Sequence, residues 1–150
     1  MESEIIHLVY VLKSTFEKNA WHGPAVKEVL ADITPEQAQL RFSTSHSIIE
    51  LVAHMTSWRI FVTRKLQGDT HYKVSDEQNF PIVSDWYIVL RALEESQVNL
   101  LQALQQFPYS RLEEKVPHSE YNYTYYTLIH GIIHHDLYHL GQIVLLKKTA

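Results

Sequence analysis

The chain has 150 residues, of which 45% are hydrophobic and 20% charged, and its formal net charge at pH 7 is −4. A chain of this length can bury roughly 68–70% of its unfolded surface, so we expect one domain over residues 1–150. Acids and bases are mixed without a basic patch, which argues against nucleic acid as a partner. No apolar run approaches the ~20 residues of a membrane span, and the N-terminus lacks signal-peptide features. These observations predict a cytoplasmic protein with no membrane partner.

Cysteine is absent from the chain, whereas histidine is abundant, with ten copies. The absence of cysteine removes disulfides, a thiol nucleophile and thiolate metal ligands together. Histidine, aspartate and glutamate are therefore the side chains that could hold a metal ion strongly.

The first predicted helix covers residues 3–18, where apolar side chains recur at helical spacing. Residues 25–46 read as a connection that holds one or two short helical turns. One of these turns is expected to begin at Pro35, because Thr34 is a suitable N-cap and proline is favoured at the first helical position.

A second helix is predicted to begin after Ser47, which forms a capping box with Glu50, and to run to about Gln67. Residues 69–83 are polar and read as a long loop. The third helix is expected to be capped by Ser84 and to continue to about Phe107.

Residues 109–123 form another connection, and the fourth helix is predicted from about residue 122 to about Lys147. Four amphipathic helices without strand alternation predict an all-α fold, a four-helix bundle. The link at 69–83, of about 15 residues, is long enough to cross the bundle. The second and third helices could then run parallel, with the second antiparallel to the fourth.

The fourth helix carries His135 and His139, which lie four residues apart and therefore share one helix face. Two imidazoles in this relation can point at one cation. His54 is the best candidate for a third ligand. It lies about 10 Å into the second helix, and His139 lies about 12 Å from the end of the fourth, so these depths coincide in an antiparallel pair.

Other histidines are less well placed for the same cation. His46 would lie at the entrance of the second helix. His130 falls about 140° around the helix from His135, and His134 about 100°. Histidines on a semi-apolar helix face also often form ordinary hydrogen bonds in a core, and this interpretation stays open.

The segment 135–143, HDLYHLGQI, resembles the H-D-x-Y-H-x-G-Q-I motif of the DinB-like superfamily of metalloenzymes. The segment 49–59 resembles the part of that family's second helix that carries its first metal ligand. A third segment, 21–26, is similar to one common near the first helix in one branch. The resemblance thus spans nearly the whole chain.

The resemblance implies a four-helix bundle with up-down-down-up order and long crossover connections. It also implies a divalent metal, nickel or zinc, held by His54, His135 and His139, and a possible homodimer. Relatives with assigned activity transfer or isomerise low-molecular-weight thiols such as bacillithiol and mycothiol. We therefore expect a small-molecule substrate, with a low-molecular-weight thiol as the leading class.

Three neutral imidazoles leave the full charge on a divalent ion and an open position, which is typical of a catalytic site. A water there can have a pKa of about 7, and a thiol would bind as thiolate. In a cysteine-free chain that thiol must be a substrate, and no catalytic residue can be named.

The alternative function is that of a non-catalytic bundle, crosslinked by metal, that serves as a binding or stress-response module. A zincin-type hydrolase ranks lower, because Asp136 is one methylene shorter than the glutamate of H-E-x-x-H.

Five further residues of the fourth helix have open roles. Tyr138 could lie next to the metal ligands or pack in the core, and we favour the core. We expect Asp136 to be exposed or tied to a neighbouring helix. Gln142 could line the pocket or lie on a solvated face. Glycine costs about 1 kcal/mol inside a helix, so Gly131 and Gly141 are expected to allow close helix approach.

Overall fold

The computed structural model describes residues 2–149, and within that range the chain is all-helical. Seven α-helices are present in this part of the chain: α1 (Glu2–Phe16), α2 (Val26–Leu30), α3 (Pro35–Ala38), α4 (Ile48–Leu66), α5 (Asp76–Asn79), α6 (Trp86–Gln106) and α7 (Tyr125–Lys148). A 3₁₀ turn at Tyr109–Arg111 and an isolated bridge between Lys115 and Thr124 occupy the last connection. No described helix is both long enough and apolar enough to cross a membrane.

The four long helices pack against one another, with α4 and α1 each in contact with both α6 and α7. Their apolar side chains form two clusters. One cluster includes Ile48, Leu93 and Ile143, and the other includes Leu66 and Leu104. The clusters are separated along α4, α6 and α7 by a stretch of buried polar side chains, and this polar layer contains the predicted site.

Helices α4 and α7 meet in opposite order along the chain. His54, near the beginning of α4, lies beside His139 in the second half of α7. Val62, two turns further along α4, lines the same cavity as Leu128, near the beginning of α7. His54 and His139 therefore lie at matching depths in an antiparallel pair of helices, as predicted.

Local capping sets the beginning of α4 as predicted. The Ser47 hydroxyl accepts a hydrogen bond from the Glu50 backbone N–H at 3.4 Å, and the Glu50 carboxylate accepts one from the Ser47 N–H at 2.8 Å. Arg41 donates to the same carboxylate at 2.6 Å. The predicted cap of α3 is also confirmed, since Thr34 accepts from the Gln37 N–H at 3.1 Å.

Two predicted helix boundaries and one predicted loop need correction. The first helix ends at Phe16 rather than at residue 18. The third is capped by Asp85, not Ser84, because the Asp85 carboxylate accepts hydrogen bonds from the backbone N–H groups of Tyr87 and Ile88 at 3.1 and 3.2 Å. The loop predicted at 69–83 contains the one-turn helix α5, which bears directly on the site.

Candidate metal centre

Three histidine side chains from α4 and α7 converge in the polar layer. The Nε2 atom of His135 lies 3.1 Å from Nε2 of His54 and 3.2 Å from Nε2 of His139. Ligand atoms of all three lie within 4.8 Å of one another. The structure thus brings together the three histidines that the sequence singled out, with His54 and His139 buried and His135 half-buried.

Hydrogen bonds at Nδ1, the outer ring nitrogen that faces away from the cluster, fix the tautomer of two of these histidines. His54 Nδ1 lies 2.7 Å from the backbone oxygen of Asn79, and His139 Nδ1 lies 2.7 Å from Oε1 of Gln142. Because a carbonyl oxygen only accepts hydrogen bonds, each Nδ1 must carry a proton, and each Nε2 presents a lone pair. Metal-binding histidines are oriented in the same way, by an acceptor at the nitrogen that does not bind the ion.

His135 differs from its two neighbours at this outer nitrogen. Its Nδ1 is buried and has no hydrogen-bond partner among residues 2–149. Its Nε2 faces two unprotonated nitrogens, and one proton can satisfy only one of those contacts. A cation that accepts three lone pairs satisfies all of them, so the donor set fits a metal ion.

Electrostatics keep the three imidazoles neutral. Burial, followed by the proximity of His139 and His54, lowers the pKa of His135 to about 3. Burial is also the main cause that lowers the pKa of His54 and of His139. Neutral imidazole is the form that binds metals, so the site is ready to do so at neutral pH without first losing protons.

Helix α5 covers the His54 side of the site. Ser75 and Gln78 form a capping box that starts this single turn, which ends at Asn79. The Asn79 side chain accepts a hydrogen bond from Trp58 Nε1 at 2.9 Å, while its backbone oxygen holds His54. The loop is therefore attached to two successive turns of α4.

Phe80, directly after α5, fills the space between two histidine rings. It stacks on His54 with ring centroids 4.1 Å apart and on His46 with centroids 3.7 Å apart. Neither Asn79 nor Phe80 was anticipated. The contact of the Asn79 backbone oxygen cannot be predicted from residue type, because every residue has a backbone carbonyl. The S-x-x-Q pattern at 75–78, however, is a capping-box sequence that indicates the start of helix α5.

The histidines judged less suitable lie outside the cluster. His46 stacks on Phe80 and lies 3.4 Å from the Glu50 carboxylate. His130 packs on Tyr126, and its ring centroid is 6.0 Å from that of His134. In the described chain the group of possible ligands consists of His54, His135 and His139 alone.

Asp136 is buried and tied to α4, which decides between the two roles left open for it. Its carboxylate forms an ion pair with the fully buried Arg59. Arg59 also donates to Ser96 at 3.0 Å and to Gln97, both on α6. Burial raises the pKa of Asp136 to about 6, although Arg59 acts in the opposite direction. The network joins three long helices directly beside His135.

Two other expectations for α7 are wrong. Tyr138 does not pack in the core, because the residue is 68% exposed. It lies next to His139 instead, with ring centroids 5.0 Å apart. Gly131 and Gly141 do not mark close helix approach, since a Cβ atom at either position would meet no atom of the described chain within 4 Å.

Two cavities adjoin the histidine cluster. One, of about 270 Å³, is lined by His135 together with Trp58 and Phe61 of α4. The other, of about 590 Å³, is lined by His139, Gln142 and Tyr138. Gln142 therefore fits both roles left open for it, since it lines a cavity and is also exposed at the helix surface. It orients His139 as well.

The all-helical fold and the three-histidine cluster place this protein among helical proteins that have a site suited to a metal ion. A family model described as DinB superfamily matches residues 20–143. This range includes all three histidines, and the chain belongs to the DinB superfamily, as the motif at 135–143 predicted. No curated protein and no solved structure matches it.

Proposed function

We propose that this protein is a metal-dependent enzyme in which His54, His135 and His139 hold one divalent ion, nickel or zinc. The observation that carries the proposal is the convergence of three Nε2 atoms, two of which must present lone pairs because their Nδ1 atoms donate elsewhere. Imidazole suits both metals. The bound ion would supply Lewis acidity, lowering the pKa of a thiol or water that takes an open position.

The substrates we propose are a low-molecular-weight thiol and a small electrophile. In the transfer, the thiol loses its proton to solvent and its sulfur forms a bond to the electrophilic carbon. The bond from that carbon to the leaving group breaks, and the leaving group departs into solvent with the bonding electron pair. The chain has no cysteine, so the sulfur must come from a substrate. The cavities beside His135 and His139 give space for two reactants next to the cluster.

The protein's own residues would orient the ligands and exclude water. Asn79 and Gln142 hold the outer nitrogens of His54 and His139. Phe80 stacks flat on His54 and shields it from solvent. Such preorganisation favours catalysis, because the site need not rearrange as charge develops.

We further propose an up-down-down-up four-helix bundle for the long helices. The opposite order of α4 and α7 supports it. The two apolar clusters support it as well, because one joins the first halves of α4 and α6 to the second half of α7, and the other joins their second halves to its first half. A single domain over residues 1–150, a homodimer and a cytoplasmic location are parts of the same proposal that rest on the sequence and the resemblance.

A non-catalytic, metal-crosslinked bundle is the rival function. The Arg59–Asp136 pair already connects α4 with α7 next to the site, so a metal is not needed to bring these helices together. The cavities that adjoin two of the three histidines favour the enzyme over a closed structural site.

The test begins with elemental analysis of protein purified without metal-affinity resin. Metal-loaded and metal-stripped protein are then assayed with a panel of thiols and electrophiles, with His135→Ala as the inactive variant and His134→Ala as its matched control. We expect turnover that requires the metal and His135 but not His134. Bound metal without turnover of any thiol would favour the non-catalytic bundle.

A further inference from the structure

Gly131 lies in the interior of α7, where neither backbone conformation nor packing requires a glycine. Its backbone is part of the regular helix, and a Cβ atom there would meet no described atom within 4 Å. Glycine is a poor helix former, because it loses more conformational freedom on folding than any other residue. What the missing side chain contributes at this position is open space.

That space belongs to the cavity of about 270 Å³ next to the histidine cluster. Gly131 precedes His135 by four residues, so the two share one face of α7 and both line the cavity. Trp58 and Phe61 of α4 form the opposite wall, and Tyr123 lies just before α7. A side chain at position 131 would therefore occupy part of this cavity.

The walls of this cavity are suited to an apolar group. Beyond His135, the side chains are almost entirely aliphatic or aromatic. The indole N–H of Trp58 already donates to Asn79, so it does not need a partner in the cavity. A charged group would lose its hydration there without finding a counter-charge. Since a cavity of about 150 Å³ can hold benzene, the volume here is ample for a benzyl-sized group.

We propose that Gly131 keeps open an apolar subsite beside His135, and that this subsite takes an uncharged aromatic or branched-alkyl group of a small-molecule substrate. The subsite itself follows from the cavity and its walls. The assignment of its occupant to the electrophile rests on the function proposed above. Gly131 would then determine the size of the substrate group that the subsite accepts.

The first experiment measures binding and does not depend on catalysis. Toluene is titrated into the protein as purified, and the three tryptophan indole N–H signals are followed by NMR. Trp58 lines the cavity, whereas Trp21 is fully exposed and Trp86 is buried with its N–H bonded to Ile33. We expect toluene to shift the Trp58 signal alone.

The matched variants are Gly131→Leu and Gly141→Leu, which place the same side chain on exposed positions of one helix. Both raise helix propensity, so both should fold. We expect Gly131→Leu to weaken toluene binding about ten-fold or more, because the leucine side chain would occupy the space that toluene needs. Gly141→Leu should leave toluene binding unchanged. Gly131→Ala should have a smaller effect in the same direction.

Two results would overturn the subsite: no shift of the Trp58 signal in the wild-type protein, or equal weakening of toluene binding by both leucine variants.

A second experiment tests which part of the substrate occupies the subsite. With 2-mercaptoethanol as thiol, Gly131→Leu should lower kcat/KM for benzyl chloride but not for iodoacetamide. Equal loss for both would exclude the electrophile as occupant, whereas absence of turnover in the wild type would count against the proposed function and leave the toluene result to decide the subsite.

Discussion

The Nε2 atoms of His54 and His135 lie 3.1 Å apart, although 81 positions separate the two residues along the chain. The contact is unusual because Nε2 of His54 has no proton to donate, its Nδ1–H being bonded to Asn79. The Nε2 atom of His139 likewise has no proton, because its Nδ1–H is bonded to Gln142, and it lies 3.2 Å from Nε2 of His135. Three inward-facing nitrogens that share at most one proton form a site whose simplest complement is a cation.

Removal of any one of the three histidines should abolish stable metal binding. We expect His54→Ala, His135→Ala and His139→Ala each to lose most of the bound metal, because two imidazoles hold a divalent ion far less well than three. Elemental analysis of protein purified without metal-affinity resin gives the stoichiometry. His134→Ala, which changes an exposed histidine beside His135, should retain the wild-type metal content. Unchanged stoichiometry in all three site variants would refute the assignment.

Gln142 should tune metal affinity without being a ligand. Gln142→Ala removes the acceptor of His139 Nδ1–H, and loss of such a partner typically lowers metal affinity about 10–100-fold. Titration against a competing chelator measures the change. Gln102→Ala, at an exposed position of α6, is the matched control and should bind metal as the wild type does. Equal affinities of the two variants would show that the hydrogen bond to His139 has no effect.

The ion pair between Arg59 and Asp136 should matter most when only one partner is removed. Arg59→Met leaves a buried carboxylate without its cation, and we expect a loss of about 3–5 kcal/mol in the free energy of unfolding. The double variant Arg59→Met, Asp136→Leu buries no charge and should be more stable than Arg59→Met alone.

Urea unfolding of metal-free protein, followed by circular dichroism, tests this prediction. Arg64→Met removes a cation from the exposed pair with Asp69 and should change stability by only about 0–1 kcal/mol. If Arg59→Met is no more destabilising than Arg64→Met, the buried network does not hold the helices together.

Glu50 should make stability depend on pH in the acid range. Burial favours its neutral form, but hydrogen bonds from Arg41 and from the Ser47 N–H outweigh burial and lower the pKa of Glu50 from 4.5 to about 2. A carboxylate with a lowered folded-state pKa binds protons more readily when unfolded. Its contribution is therefore fully present above about pH 4.5 and is lost as the pH falls to about 2.

Comparison of Glu50→Gln with the wild type measures this contribution. The variant should be less stable by about 1–2 kcal/mol near pH 6, after allowance for solvent screening, and the difference should shrink to nothing near pH 2. Glu94→Gln, which affects an exposed pair with Lys27, should show little difference at any pH. A constant deficit of Glu50→Gln across the range would mean that the charge of Glu50 is not the cause.

Much of the fold could be predicted because its signals are local. The cap of α4 at Ser47 and the turn at Pro35 depend on groups within one helical turn, and apolar spacing identifies a buried helix face without knowledge of its neighbour. The agreement in depth between His54 and His139 needed only the helix rise and an antiparallel arrangement. The histidine cluster was accessible by the same reasoning.

Other features depended on contacts between distant parts of the chain. Tyr138 has a core-like side chain but faces solvent, because burial is decided by which neighbours a helix face receives. Gly131 has the appearance of a packing glycine, yet only the position of α4 shows that it opens a cavity.

The sequence by itself determined the four long helices, the caps at Thr34 and Ser47, and the three histidines, since helix periodicity and capping operate over three or four residues. Only the tertiary structure decided what surrounds those histidines. The backbone oxygen of Asn79 reaches His54 across 25 positions, and Arg59 meets Asp136 across 77. A backbone carbonyl is present at every residue, and a buried charge is stable only beside its partner, so neither can be assigned before the helices are packed.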